Sequence, residues 1–293
     1  MRAANAALAV FWKNKSHKNR SSIEAKLSQF VITRIVVALI ALPLVVLPIW
    51  FGGFWFALLA LVIALAGGSE FYTLLTVGGY HPAVPLGLFW LAALTLTGLQ
   101  PGLPLLLPIL TLGLMATYVY VFFQPHEPIG TWIATSIVAL YLGIMISQMV
   151  ALRYLPSGFW WLALGLLITW ANDAAAYFVG VTIGRHKLWP RISPKKTWEG
   201  TGGGWLFAAL FGGLSAYLLP LPITIWQGVA IGGLGGLLGL LGDLSISVLK
   251  RQVGVKDSGK LFPGHGGMLD RLDSALFVLP YIYQVAFWLT HHS

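Results

Sequence analysis

From Arg34 onward the chain alternates between apolar runs and short punctuation by Gly, Pro and polar residues. Runs of roughly twenty apolar residues have the length a helix needs to cross the hydrocarbon core of a bilayer. The pattern predicts helices at 34–51, 53–76, 82–99, 102–123, 129–152, 158–180, 202–219, 223–249 and 274–290. The fold class that follows is all-α, a polytopic membrane protein with about nine transmembrane helices. Glycines recur at four-residue spacing in Gly232/Gly236, Gly235/Gly239 and Gly180/Gly184. In a membrane helix that spacing reads first as close backbone packing.

Composition agrees, since 57% of the 293 residues are hydrophobic and only 9% are charged, against about 25% in ordinary soluble domains. A soluble enzyme and a disordered chain are both excluded. The absence of cysteine removes disulfides, thiol nucleophiles, cysteine-ligated zinc and iron–sulfur clusters.

Charge adds an orientation. Of 18 basic residues, seven lie at or before Arg34, five between Arg185 and Lys196 and five between Lys250 and Arg271, leaving only Arg153. Short loops rich in Lys and Arg stay cytoplasmic. Six predicted spans separate the first basic segment from the second and two separate the second from the third, so all three fall on one side. The amino terminus is then cytoplasmic and the carboxyl terminus outside. Residues 1–33 read as a basic cytosolic arm, one that either meets anionic headgroups or only orients the first span. No cleavage site follows the first apolar run, so it is not a removable signal peptide.

Nine acids are few enough to weigh singly. Asp173 and Asp243 fall in or near predicted spans, where an ionised acid costs about 2.5–3.5 kcal/mol at the bilayer centre. Each is either a functional group or an acid at a helix end paired with a nearby Lys. If the last helix starts near Gly267, Asp270 and Asp273 share one face within a turn, and Asp243 on the preceding span can meet them. Three carboxylates at one membrane edge suit a hard cation such as Mg²⁺. Lys250, Arg251, Lys256, Lys260 and Arg271 surround them, with glycines at 259, 264, 266 and 267. Basic side chains neutralise polyphosphate, and glycine-rich turns offer backbone N–H groups to its oxygens. These are the residue types of phosphoryl or nucleotidyl transfer, and no Gly-Lys-Ser/Thr P-loop is present. His265 reads as a base, a ligand or, first, simply a turn residue. A second polar cluster joins Asn172, Asp173 and Tyr177 to the Ser193-Pro194-Lys195-Lys196-Thr197-Trp198-Glu199-Gly200 loop, which either binds phosphate or holds the topology.

The run from Ser247 through Lys250-Arg251, Lys256-Asp257, Gly259, Phe262-Pro263, His265-Gly266-Gly267, Asp270-Arg271 and Asp273 resembles the signature of the phosphatidate cytidylyltransferase (CDP-diacylglycerol synthase) family. The 193–200 segment and the Asn172–Tyr177 helix resemble it too, as Glu70-Phe71-Tyr72 does more weakly. The specific resemblance covers residues 165–275, so 34–160 reads as an amino-terminal transmembrane region and 161–293 as the catalytic one. It implies an integral membrane enzyme that makes CDP-diacylglycerol and pyrophosphate from CTP and phosphatidic acid for phospholipid biosynthesis. It also implies Mg²⁺ dependence, a second monovalent cation such as K⁺, and a homodimer. Carried over by position, Asp243, Asp270 and Asp273 become metal and catalytic candidates together with Lys250. Asp173, Ser193, Lys195, Lys196, Thr197, Glu199, Ser247, Arg251, Lys256, His265 and Arg271 become substrate-binding candidates.

The expected site faces the cytoplasm from the cell (inner) membrane and takes its lipid sideways from the bilayer, and no nucleic-acid partner is expected. A phosphate monoester has a second pKa near 6, so phosphatidate needs no dedicated base, and His265 is not assigned that role. The competing readings are a CTP-dependent lipid kinase and an ion-coupled transporter. Against the transporter, the acids cluster with basic residues at one face and no inverted repeat is visible. A CDP-alcohol phosphotransferase is disfavoured by the absence of an Asp-Gly-x-x-Ala-Arg segment.

Overall fold

In the computed structural model, residues 43–125, 127–261 and 266–292 are described. The basic arm, the start of the first predicted span and His265 lie outside them. The described chain is 78% helical, and each apolar segment read from the sequence holds a helix. Residues 43–51 form α1, followed by α2 (Gly53–Val77), α3 (Val84–Leu96), α4 (Leu106–Tyr120), α5 (Pro128–Tyr154) and α6 (Gly158–Thr182). After a two-stranded hairpin come α7 (Trp198–Leu218), α8 (Ile225–Gln252), the short α9 (Leu269–Leu272) and α10 (Ala275–His292). Among the described residues five helices, α2, α4 with its 3₁₀ extension to Phe123, α5, α6 and α8, are long and apolar enough to cross a membrane.

Two local differences from the sequence reading bear on the site. The 185–196 loop is a small antiparallel hairpin, β1 (Lys187–Trp189) paired with β2 (Ser193–Thr197). Its strands are too short and too polar for alternation to announce them. The last helix also does not run unbroken from Gly267. Helix α9 begins at Leu269 and gives way at Asp273 and Ser274 before α10 resumes at Ala275.

Helix starts are fixed by chemistry legible in the chain. Thr224 and Gln227 form a reciprocal capping box at α8, and the Thr197 hydroxyl accepts the Gly200 N–H at the start of α7. The interior is a continuous apolar core in which α5 and α10 are central. Leu142, Ile146, Trp161, Leu162, Ile168, Leu276 and Ile282 are all fully buried. Large apolar side chains such as Leu107, Phe122, Tyr217 and Trp226 cover the outer surface. An apolar exterior of this kind suits lipid, in which helix association rests on packing rather than on expulsion of water.

The glycine pairs show how that packing is achieved. Gly232 and Gly236 lie against Ala208 of α7, and Gly235 and Gly239 against Val278 of α10. A Cβ at Gly232 would run into the Ala208 carbonyl and sit 3.0 Å from the Gly212 Cα. At Gly202, on the exposed side of α7, a Cβ meets nothing. Gly232→Leu should therefore cost roughly 1–3 kcal/mol or more through overpacking, while Gly202→Ala should be neutral or stabilising by about 0.4–1 kcal/mol. Thermal unfolding of the two variants in one detergent checks this, and equal transition temperatures would contradict the close packing of α7 on α8.

Candidate active site

The hairpin and the α8–α9 connection meet at one end of the bundle. The Arg251 guanidinium at the foot of α8 donates to the Ile192 carbonyl of the hairpin at 3.1 Å and to the Val255 carbonyl at 3.2 Å. Lys196 of β2 forms an ion pair with Asp243 of α8. Between these elements lies a cavity of roughly 400 Å³. Asp173, Lys195, Lys196, Thr197, Asp243, Asp270 and Asp273 all line it, so residues up to 100 positions apart, Asp173 and Asp273, share one space. The apolar part of the wall comes from Tyr177, Val181, Trp205, Leu237 and Leu240. Asp173 and Tyr177 share a helical face, as their spacing predicts.

The carboxylates are not equivalent. Asp270 is saturated: its Oδ1 accepts Lys250 Nζ at 2.6 Å, and its Oδ2 accepts the Ser258 N–H at 2.9 Å, the Ser258 hydroxyl at 3.1 Å and the Gly267 N–H at 2.9 Å. Burial pushes its pKa up, but Lys250 and the two backbone N–H groups outweigh that and hold the carboxyl below its usual range. Asp243 is shared between Lys196 and the Ser247 hydroxyl, which donates at 3.2 Å. Asp273 receives the Ser274 N–H at 2.8 Å. Burial, with the Asp243 carboxylate beside it, pushes Asp273 up to about 7, and Lys250 offsets only part of this.

The charged form of Asp273 is thus poorly compensated by its surroundings, and a hard cation bound beside it would favour that form. Among the described residues no three His, Asp or Glu side chains gather closely enough to form a metal cage. Mg²⁺ does not ask for one, since it binds through one or two carboxylates, waters and substrate phosphates. Asp273 with Asp243 or Asp173 fits that requirement. Asp270 joins the set only by releasing Lys250 or the loop N–H groups.

Other sequence candidates divide by position. Thr197 is buried and caps α7, and Glu199 accepts the backbone N–H groups of Arg185 and His186 and lies 2.6 Å from His186 Nδ1. Those two residues shape the hairpin. Ser193 pairs with Trp189 within it. Lys256 and Arg271 are exposed and do not line the cavity.

Sequence reasoning missed the part played by Glu70 of α2. Its carboxylate accepts the Ser258 hydroxyl at 2.8 Å, the Met268 N–H at 2.9 Å and the Leu269 N–H at 3.0 Å. The available signal was a single acid inside an otherwise apolar helix.

The model of the cytidylyltransferase family matches residues 32–289, nearly the whole chain. The chain belongs to this family. Among its relatives is a phosphatidate cytidylyltransferase of Synechocystis, 38% identical over 265 residues that make up 79% of this chain and 88% of that protein. Those of Bacillus subtilis and Staphylococcus aureus (strain COL) are 40% identical over 149 residues and 45% over 124. Those two matches take in 50% and 42% of this chain, and 55% and 47% of the relatives. The chain thus spans about half the length of these two and most of the Synechocystis protein.

Within the site, the Lys250–Asp270 pair is the element whose loss should cost most. The two side chains are 11% and 10% exposed, and removing one partner strands a buried charge, at roughly 3–5 kcal/mol. Lys250→Ala should lower thermal stability by that order, whereas Lys256→Ala, at an exposed position, should stay within about 0.5 kcal/mol of the parent. Comparable effects of the two substitutions would contradict the buried pairing.

Proposed function

We propose that this chain is a phosphatidate cytidylyltransferase, moving CMP from CTP to phosphatidic acid and releasing pyrophosphate. Family membership supports the transfer of a cytidylyl group, and the names of the relatives support the lipid acceptor. The observation that carries the reading is the cavity itself, where acids from three elements meet Lys195 and Lys196 beside an apolar wall. The lysines and the apolar wall suit an anionic headgroup attached to acyl chains, and the acids suit a cation accompanying the triphosphate.

The reaction is an in-line displacement. A phosphatidate monoester oxygen forms a bond to the α-phosphorus of CTP, and the bond from that phosphorus to the bridging oxygen breaks as pyrophosphate leaves. The nucleophile is already largely ionised at neutral pH. The burden on the protein is to bring two polyanions together, which is positioning and charge neutralisation. Lys195 and Lys196 offset the repulsion, and the Asp243 pair and the hairpin hold Lys196 in place. Magnesium bound at Asp273 with Asp243 or Asp173 would supply further neutralisation of the triphosphate. Tyr177, Val181, Trp205, Leu237 and Leu240 take the apolar part of the lipid.

The same reading places the chain in the cell (inner) membrane with nine passages. The amino terminus and the site face the cytoplasm, the carboxyl terminus lies outside, and 161–293 forms the catalytic region. Two observations support the arrangement. Basic residues of the hairpin and of the foot of α8 lie together at one end. Arg153, the basic residue outside the three clusters, instead donates to the Ile49 and Trp50 carbonyls at the junction of α1 and α2. A K⁺ site and a homodimer complete the proposal, both from the family resemblance.

Purified protein given phosphatidate, Mg²⁺ and CTP labelled either in cytidine or at the γ-phosphate tests the reaction. Cytidine label should enter lipid. Transfer of the γ-label, or of neither, would overturn the assignment. Asp273→Asn should reduce turnover by about 10²-fold or more with an unchanged unfolding transition, and near-normal activity would remove Asp273 from the site.

A further inference from the structure

Ser258 is held by two acids from opposite halves of the chain. Its hydroxyl lies within hydrogen-bond distance of both Glu70 of α2 and Asp270 of α9, at 2.8 and 3.1 Å. Glu70 also accepts the Met268 and Leu269 N–H groups, and Asp270 the N–H groups of Ser258 and Gly267. The two ends of the glycine-rich connection are thereby clasped between two carboxylates. The clasp is tight: a Cβ at Gly259 or Gly267 would collide with the Glu70 carboxylate, and one at Gly266 would sit 2.8 Å from Asp270 Oδ2. Asp273 follows one helical turn after Leu269, whose N–H Glu70 holds, and itself donates its N–H to the Leu269 carbonyl at 3.1 Å.

We propose that Glu70 is a positioning residue for the transfer reaction, setting the place of Asp273 in the cavity by fixing the start of α9 from the amino-terminal bundle. Glu70 does not line the cavity, so it acts through the clasp and not on the substrates. The proposal rests on the cytidylyltransferase reading for its catalytic consequence, but the clasp is a structural statement that stands by itself. A carboxylate is required because three donors converge on it. Glutamine offers one acceptor oxygen, and its NH₂ would face an N–H or O–H donor.

The test uses the full-length protein in lipid nanodiscs and two independent readouts. Amide hydrogen exchange is followed at Gly267, Met268 and Leu269 in the parent, Glu70→Gln, Ser258→Ala and the double variant. Exchange at Met268 and Leu269 should accelerate at least tenfold in Glu70→Gln while amides in the middle of α5 keep their protection. The second readout is the Mg²⁺ concentration giving half-maximal turnover. It should rise several-fold in Glu70→Gln and less in Ser258→Ala, and the double variant should resemble Glu70→Gln instead of showing the product of the two effects. A merely smaller folded fraction would lower the rate without moving that midpoint. Unchanged exchange at Met268 and Leu269 would overturn the clasp. Faster exchange with an unchanged Mg²⁺ midpoint would overturn the positioning role. If the parent makes no CDP-diacylglycerol, the cytidylyltransferase reading and the positioning role fail together, and the exchange experiment still decides the clasp.

Discussion

A carboxylate inside an apolar helical bundle must find partners or lose its charge, and the ion pair between Lys250 and Asp270 is where this molecule meets that constraint. The pair joins the foot of α8 to α9. Asp270 uses its remaining acceptor capacity on Ser258 and Gly267, and so draws in both ends of the connection. Glu70 repeats the device from α2. Once these two acids are satisfied by structure, Asp173, Asp243 and Asp273 are left facing a cavity with Lys195 and Lys196. Structural and chemical carboxylates are distinguished by what already bonds them, which composition cannot reveal.

The cavity also depends on how closely the helices approach. Glycines bring α7 and α8 together at Gly212 and Gly232. The break at Asp273 and Ser274 turns the end of α9 so that Asp273 joins the lining. An unbroken helix from Gly267 would have carried Asp270 and Asp273 on one face as equals. In the structure both line the cavity, but Asp270 is tied to Lys250, Ser258 and Gly267 while Asp273 receives only the Ser274 N–H among the hydrogen bonds described.

Much of this was legible in the chain, and the exceptions have physical reasons. Long apolar runs are a strong signal, so α5 and α6 lie within two residues of their expected bounds. The start of α7 was missed by four residues because Glu199 and Gly200 read as loop, although Thr197 is an ordinary capping residue. The meeting of Asp243 with Asp270 and Asp273 follows from the spacing of few acids, whereas Asp173 reads as part of a second cluster and the fold brings the two clusters into one cavity. The hairpin was not legible, being short and polar, nor was the Glu70–Ser258 contact, which spans 188 positions and leaves no periodic trace. Arg251, a substrate-binding candidate by resemblance, engages the carbonyls of Ile192 and Val255, contacts that leave no periodic trace either.

On the proposed function, the polyphosphate of CTP lies in the cavity between α6, the hairpin, α8 and α9. A structure of the purified protein in nanodiscs with CTP and Mg²⁺ tests it most directly. Triphosphate density is expected beside Lys195 and Lys196, with a cation contacting Asp273. Nucleotide bound elsewhere, with this cavity empty or filled only by lipid, would contradict it.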